Sequence, residues 1–301
     1  IDAKVIEKIN GDKINFTFEI EDTEKLYVNK INILGNNITS ERFIRDLLIV
    51  DEGDPFNKIL HNKSLNKLRS KNLFSNIKSE IVDTKNSDQK DINIIIEEKP
   101  TGELMAGAGY GSDGSTFSIG IKENNFKGEG INLNSKLSLS EQTVKGFFEY
   151  THPNFAYSDR ALSTSLESSV TDKLTDFGYK SSLNKISLGT RYEQFEDTFF
   201  SPRLSISDES LDTTSTASDA YKKQEGSYFD TTFDYGLTFD KRNSAYQPSS
   251  GFYSSWFQQL PIISENQTIV NGYQITGYKE IVDDMIVSSG IYSRAVNSLS
   301  N

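Results

Sequence analysis

Apolar and polar side chains alternate with a period of two through most of residues 101–301. In one such stretch, single residues separate Phe229, Thr231, Phe233, Tyr235, Leu237 and Phe239. This is the period of a β-strand with one apolar face, and strands that follow one another without helices pair antiparallel. We predict about eleven strands, at roughly 102–111, 115–124, 130–140, 143–152, 160–170, 181–194, 199–209, 227–240, 251–260, 268–280 and 284–295.

The connections between these strands alternate between short and long. Short turns such as NFKGEG and FEDT lie at one end, and longer polar loops such as LDTTSTASDAYKKQEG lie at the other. Aromatic residues, including Phe126, Phe199 and Phe200, crowd the short-turn end. Strands of membrane-spanning length with this loop asymmetry and an aromatic girdle are typical of an outer-membrane β-barrel. A soluble β-sandwich also has alternating strands and remains an alternative.

Residues 25–98 follow a different pattern. LYVNKINILG alternates as a strand, two helical stretches follow, and SNIKSEIVD and KDINIIIEEK read as two more strands. Thr39 or Ser40 can cap the first helix, and the second begins near Asn57. The predicted buried helical residues are Phe43, Ile44, Leu47, Leu48, Leu60, Leu65 and Leu68. The order β-α-α-β-β predicts an α+β domain with two helices on one face of a small sheet.

Residues 1–24 contain a further strand, KINFTFEIED, in which Ile14, Phe16 and Phe18 alternate with polar residues. We expect it to have no partner strand of its own and to end a preceding domain. The first residue is Ile1, and no charged and apolar leader precedes it. We therefore expect a signal peptide to be absent or lost from this sequence.

The composition excludes several kinds of site. Asp and Glu outnumber Lys and Arg by 43 to 32, without a basic run, so a nucleic-acid partner is not expected. There is no cysteine, and the two histidines, His61 and His152, lack ligand spacing and are expected at the surface. No paired catalytic carboxylates, activated nucleophile, metal cluster or cofactor site stands out. Apolar runs are only three or four residues long, far below the ~20 of a membrane helix.

The stretch Gly109–Gly114 fits G-x-G-x-x-G, the pattern of a dinucleotide-binding loop. That loop needs a helix after the glycines, but STFSIGIKEN alternates as a strand. We therefore predict a β-hairpin with its turn at Ser112-Asp113-Gly114. Gly107, Gly109 and Gly111 then share one face and remove side-chain packing from it. The glycines either let the barrel bend or make this strand the least firmly held in the sheet.

Three segments resemble parts of a known family. The stretch YVNKINILGNNIT…FIRDLLIVDEGDPFN…INIIIEEKPTG resembles a POTRA domain. The stretch TGELMAGAGYGSDGSTFSIGIKENNFKGEG resembles the first barrel hairpin of the BamA family of outer-membrane protein assembly factors. DKRNSAYQPSSGFYSSWFQQ is similar to a strand turn further along that barrel. The resemblance covers nearly all of residues 25–301.

The resemblance implies that residues 1–24 end one POTRA domain, 25–98 form the last POTRA domain, and 99–301 are the first part of a transmembrane barrel. About eleven of sixteen strands are then present, without the closing strand and the Arg-Gly-Phe loop, so we expect the sequence to be a fragment of a longer protein. The first barrel strand is expected to open and to template incoming barrel proteins. Its residues are Glu103, Leu104, Met105, Ala106, Gly107, Ala108, Gly109, Tyr110 and Gly111.

The resemblance also implies partners and a location. We expect unfolded β-barrel client proteins, periplasmic chaperones, the lipid bilayer of the outer membrane, and accessory outer-membrane lipoproteins that dock on periplasmic POTRA domains. Arg45 and Glu52 match the docking residues of the family, although surface charge alone also explains both. No cofactor and no enzymatic activity are expected. The alternatives are a TamA-like insertase, a two-partner secretion transporter, and, less well supported, a passive porin.

Overall fold

The computed structural model of the chain separates into two compact units, residues 1–100 and 101–301. It describes residues 2–10, 13–21, 25–111, 114–244, 247–265, 267–282 and 285–299. Among these residues, no helix has the length and apolar character that crossing a membrane requires.

The first two strands form a hairpin of their own. β1 (Asp2–Asn10) pairs antiparallel with β2 (Lys13–Glu21), so that Val5 faces Phe18 and Ile9 faces Ile14. The prediction of a strand without a partner was therefore wrong. Charged residues interrupt the alternation of β1 and hide it in the sequence. That this hairpin ends a preceding POTRA domain stays a prediction.

The rest of the first unit has the predicted β-α-α-β-β order. Its elements are β3 (Tyr27–Leu34), α1 (Glu41–Asp46), α2 (Lys58–Ser70), β4 (Phe74–Asp83) and β5 (Gln89–Glu98). β5 lies in the middle of the sheet, parallel to β3 and antiparallel to β4. One edge of this sheet is therefore β3.

One hydrophobic core joins the two helices to the sheet. Phe43, Leu47, Leu65 and Leu68 are all buried in it, as predicted, together with Ile residues of β3 and β5. Leu60 was assigned to the same stripe, but its side chain is 36% exposed. The buried face of α2 is completed by His61 and Ser64 instead, which lie one turn before Leu65 and Leu68.

Local hydrogen bonds fix the helix ends and the loop before α1. Ser40 caps α1 by accepting a hydrogen bond from the Phe43 N–H at 3.2 Å. The Glu98 carboxylate accepts three main-chain hydrogen bonds, from Asn37 at 2.9 Å, Ile38 at 2.8 Å and Thr39 at 2.6 Å. Partial burial alone would raise the pKa of Glu98, but a side-chain hydrogen bond from Thr39 and these main-chain bonds lower it overall.

His61 lies inside the domain rather than at its surface, which corrects the sequence-based expectation. Only 5% of the residue is exposed, and its Nε2 lies 2.9 Å from the Ser79 hydroxyl of β4. The Phe56 ring packs nearby, with its centroid 6.1 Å from that of the imidazole. Burial lowers the pKa of His61 because it disfavours the charged imidazolium.

Residues 101–301 form one antiparallel sheet in which each strand pairs with its neighbours in sequence. The described residues contain eleven strands in this sheet, as predicted. They are β6 (Gly102–Gly111), β7 (Gly114–Phe126), β8 (Ile131–Ser140), β9 (Thr143–His152), β10 (Ala161–Lys173), β11 (Tyr179–Phe195), β12 (Thr198–Thr213), β13 (Gly226–Asp240), β14 (Ser250–Ile263), β15 (Thr268–Val282) and β16 (Met285–Ser298). The short helices α3 (Leu174–Phe177) and α4 (Asp219–Lys222) lie in the two long loops, and a 3-10 turn spans Phe155–Tyr157.

The two faces of this sheet differ as a membrane barrel requires. The inner face lines a cavity of about 540 Å³ with polar side chains, among them Glu149, Arg191, Arg203, Asp234, Thr238 and Gln259. The outer face exposes large apolar residues such as Leu188, Leu204 and Leu237. Near the short-turn end, this face carries a row of contacting rings, Tyr192, Phe200, Tyr235 and Trp256. The alternation predicted from the sequence is therefore an inner–outer alternation.

The turn between β13 and β14 is held by an ion pair and a glycine. Arg242 donates two hydrogen bonds to the Asp240 carboxylate, at 2.8 and 2.7 Å. Gly251 has a φ of +92°, and a Cβ there would overlap the Lys241 carbonyl oxygen. Only glycine fits this close approach of two main chains.

We expect Leu47→Ala to lower the free energy of unfolding of residues 25–99 by roughly 2–5 kcal/mol, because it leaves a cavity at a buried position. Chemical denaturation measures the change. Leu60→Ala is the matched control at an exposed position and should have a much smaller effect. Equal losses for the two variants would contradict the assignment of the buried face.

We also expect the stability of residues 25–99 to fall as the pH drops below about 6.5, the pKa of an unfolded histidine. The pKa of His61 is lowered on folding, so the unfolded chain binds the proton first. Denaturation midpoints between pH 7.5 and 5 measure this effect. This pH window lies above the ordinary pKa values of Asp and Glu side chains. His61→Gln should remove this part of the pH dependence, and parallel curves for the two proteins would contradict the prediction.

Candidate functional site

The glycine-rich strand β6 lies at one edge of the eleven-stranded sheet. Among the described residues it pairs only with β7, in a register that places Gly111 opposite Gly114. All ten of its residues are exposed. Residues 112 and 113, where the turn was predicted, lie outside the described residues. A strand follows the glycines where a dinucleotide loop needs a helix, so the hairpin interpretation is confirmed.

The main-chain groups of β6 point alternately toward β7 and away from it. The Thr101 carbonyl accepts a hydrogen bond from the Asn124 N–H at 3.3 Å, one residue before β6 begins. Because such bonds recur at every second residue of an antiparallel pair, Glu103, Met105 and the three glycines bond to β7. The N–H and C=O groups of Leu104, Ala106, Ala108 and Tyr110 therefore face the free edge.

The glycines of β6 are not explained by close packing. A Cβ at Gly109 or Gly111 would meet nothing within 4 Å, and one at Gly107 would lie 3.1 Å from the Ser118 hydroxyl. None of the three has a positive φ. Gly272 of β15 differs, because a Cβ there would overlap the Phe257 ring of β14. From Gly107 to Gly111, the inner face of β6 is thus bare main chain.

Arg45 and Glu52, the predicted docking residues, lie together at the β3 edge of the other sheet. The Glu52 carboxylate accepts the Ile31 N–H at 3.0 Å, and Arg45 donates to the Ile31 carbonyl at 2.7 Å. Arg45 also bonds to Glu52 at 3.3 Å and to Glu41 at 2.8 Å. The Ile31 hydrogen bond is the main cause that lowers the pKa of Glu52, and Arg45 lowers it further. We call this arrangement the Arg45–Glu52 clip.

Next to the clip, main-chain hydrogen bonds also cover the edge of β3. The Val28 N–H donates to the Asp54 carbonyl at 2.9 Å, and the Val28 carbonyl accepts from the Gly53 N–H at 2.7 Å. Together, these contacts occupy the outward main-chain groups of both Val28 and Ile31. Edge strands with free groups attract foreign strands, so the clip protects this edge. Sequence reasoning missed this role because the partner is the main chain of β3.

We expect Glu52→Ala to speed amide hydrogen exchange at Ile31, since its N–H loses its acceptor. The factor should be about five or less, because an exposed charged contact of this kind contributes about 1 kcal/mol or less. NMR-detected exchange at single residues measures it. The control Glu41→Ala removes only a bond to Arg45 and should leave Ile31 protected. Unchanged exchange in Glu52→Ala would exclude the protective role.

Family models match both parts of the chain. Residues 26–99 match the POTRA model, described as a surface antigen variable number repeat. Residues 125–294, more than half of the chain, match the model of the Omp85 superfamily domain.

Several curated relatives are named outer membrane protein assembly factor BamA. The chain is 31% identical over 144 residues to the outer membrane protein assembly factor BamA of Neisseria meningitidis serogroup B, which covers 47% of this chain and 18% of that protein. It is 23% identical over 283 residues to BamA of Nitratidesulfovibrio vulgaris, covering 91% and 35%. The chain therefore spans about a third or less of the length of these relatives.

Solved structures show the same fold. BamA from Haemophilus ducreyi lacking POTRA domains 1–3 matches with a TM-score of 0.70 at 20% identity, covering 99% of this chain and 61% of that one. CdiB from Acinetobacter baumannii matches with a TM-score of 0.59 at 12% identity, covering 99% and 57%. With the family models, these matches bear out the fold class. The chain belongs to the Omp85 superfamily, as a periplasmic POTRA domain followed by strands of an outer-membrane β-barrel.

Proposed function

We propose that this chain is part of an assembly factor that folds β-barrel proteins and inserts them into the outer membrane. The curated relatives named BamA support this function, since their printed name is outer membrane protein assembly factor. The work is non-covalent and needs no cofactor. The second candidate is another function within the Omp85 superfamily, which the structural likeness to CdiB leaves open.

The free edge of β6 is the proposed working surface. Its outward N–H and C=O groups belong to Leu104, Ala106, Ala108 and Tyr110, and a strand of the barrel protein being folded, the client, would pair with them. An unpaired main-chain group in hydrocarbon costs several kcal/mol, so an open edge in a membrane strongly favours a partner strand. The bare glycine face makes any existing pairing of β6 weaker in side-chain contacts, so that a client strand competes for it more easily.

The POTRA domain is proposed to receive clients and chaperones in the periplasm and to dock accessory lipoproteins. The exposed parts of Arg45 and Glu52, 36% and 43% of the side chains, are available to such a partner. The clip adds a constraint to this proposal. A lipoprotein that drew either charge away from β3 would also uncover the main chain of Ile31. Docking is therefore proposed to occur on the intact clip.

Site-directed disulfides test the working surface, because the chain has no cysteine of its own. Gly109→Cys places a thiol on β6, where a Cβ meets nothing within 4 Å. A client with cysteines along its last strand should cross-link to it during assembly, since paired strands bring Cα atoms within the ~7 Å that a disulfide allows.

The matched control is Gly146→Cys on β9, which has ordinary Cβ contacts and paired strands on both sides. It should give no cross-link to the client. Cross-linking of equal extent at the two positions, or none at Gly109→Cys while assembly proceeds, would contradict β6 as the pairing surface.

A further inference from the structure

On the outer face of the sheet, two side chains of β6 are smaller than the side chains beside them on β7 and β8. Ala106 lies beside Ile119 of β7, and Ala108 lies beside Phe117. One strand further, Leu137 and Leu139 of β8 continue the same two rows. Each row of large apolar side chains therefore ends, at the edge of the sheet, in the methyl group of an alanine. This difference in size forms a depression of about 440 Å³, lined by these residues, Gly107 and Ser118.

The side chains that wall this depression are largely uncovered. Phe117 is 64% exposed and Ile119 is 50% exposed, although both belong to a strand that is paired on both sides. A larger residue at position 106 or 108 would cover their flanks. The alanines leave apolar surface available for a group that arrives from beyond the edge.

We propose that this depression is a specificity subsite that receives a bulky apolar side chain from the client strand paired with β6. The inference rests on the proposed function and adds which client residues are favoured. Both alanines are among the residues whose main-chain groups face the free edge, so the depression lies beside the pairing surface. A lipid chain would fill the depression but leave those N–H and C=O groups unpaired, which favours a strand.

Strand spacing explains why the subsite selects for size. Neighbouring strands lie about 4.8 Å apart, so an added strand is one spacing from Ala108 and about 10 Å from Phe117. A methyl or hydroxymethyl group on the added strand does not reach the Phe117 ring across Ala108. A phenylalanine or leucine side chain does, and it covers the exposed ring. Clients with large residues at outward positions are therefore favoured over clients with small ones.

A size-swap experiment tests this with two peptides and the full-length protein in lipid nanodiscs. Both peptides are nine residues long, with polar and apolar positions alternating. One carries phenylalanine and the other alanine at the outward positions that pair beside Ala106 and Ala108. Fluorescence anisotropy measures their affinities. We expect the phenylalanine peptide to bind roughly 2- to 10-fold more tightly, as is typical of cross-strand aromatic pairs.

Filling the depression should remove that preference. Ala108→Phe, with Ala106→Phe as a second variant if the first does not fold, should equalise or reverse the two affinities. Thr164→Phe, at an outward position in the middle of the sheet, is the matched control and should leave the preference intact.

The outcomes separate the inference from the proposed function. If neither peptide binds and Gly109→Cys gives no client cross-link, the proposed function fails. If both peptides bind equally to the unmodified protein, pairing stands and the subsite is refuted. If Ala108→Phe reduces retained lipid in native mass spectrometry without changing the peptide ratio, an acyl chain is the occupant, and the proposal is overturned.

Discussion

Pairing of main-chain N–H and C=O groups between strands is the constraint on which the larger unit depends. A membrane offers no water to satisfy these groups, so each strand needs a neighbour on both sides. Within the described residues, β7 to β15 have two neighbours each, while β6 and β16 have one. The side-chain alternation follows from the same geometry, since a paired strand sends successive residues to opposite faces. The free edge, the two faces of the sheet and the proposed function therefore all follow from strand pairing.

The two units differ at the edges of their sheets, because the edge strand β3 is partly covered and the edge strand β6 is not. In the POTRA domain, Arg45, Glu52 and the main chain of Gly53 and Asp54 occupy the outward groups of Val28 and Ile31 on β3. In β6, by contrast, Ala106 and Ala108 lie at the free edge and carry no polar side chain that could fold back onto it. A protected edge suits a domain that must not aggregate, and an unprotected one suits a strand that is to receive another. This contrast supports the proposed division of work between the units.

Much of the fold was predictable because it depends on local patterns. The period of two located all eleven strands of the large sheet, and their ends differ from the predicted ones by a few residues at most. The serine before α1 and the periodicity of Phe43 and Leu47 located the first helix. These signals are contained in a few consecutive residues, so they can be read without knowing what packs against them. The hairpin at Gly109–Gly114 was predicted for the same reason.

Contacts between residues distant in sequence were decided only by the tertiary structure. His61 looks like a surface residue until Ser79, 18 positions later, lies against it. Arg45 and Glu52 look like free charges until the fold places both on Ile31. The depression over β6 exists because pairing sets alanines beside larger residues of β7. In the eleven-stranded sheet, the sequence alone determined which residues form strands and which face each side chain takes. Only the fold decided which groups are covered, because burial depends on the volume and position of neighbours that no local pattern specifies.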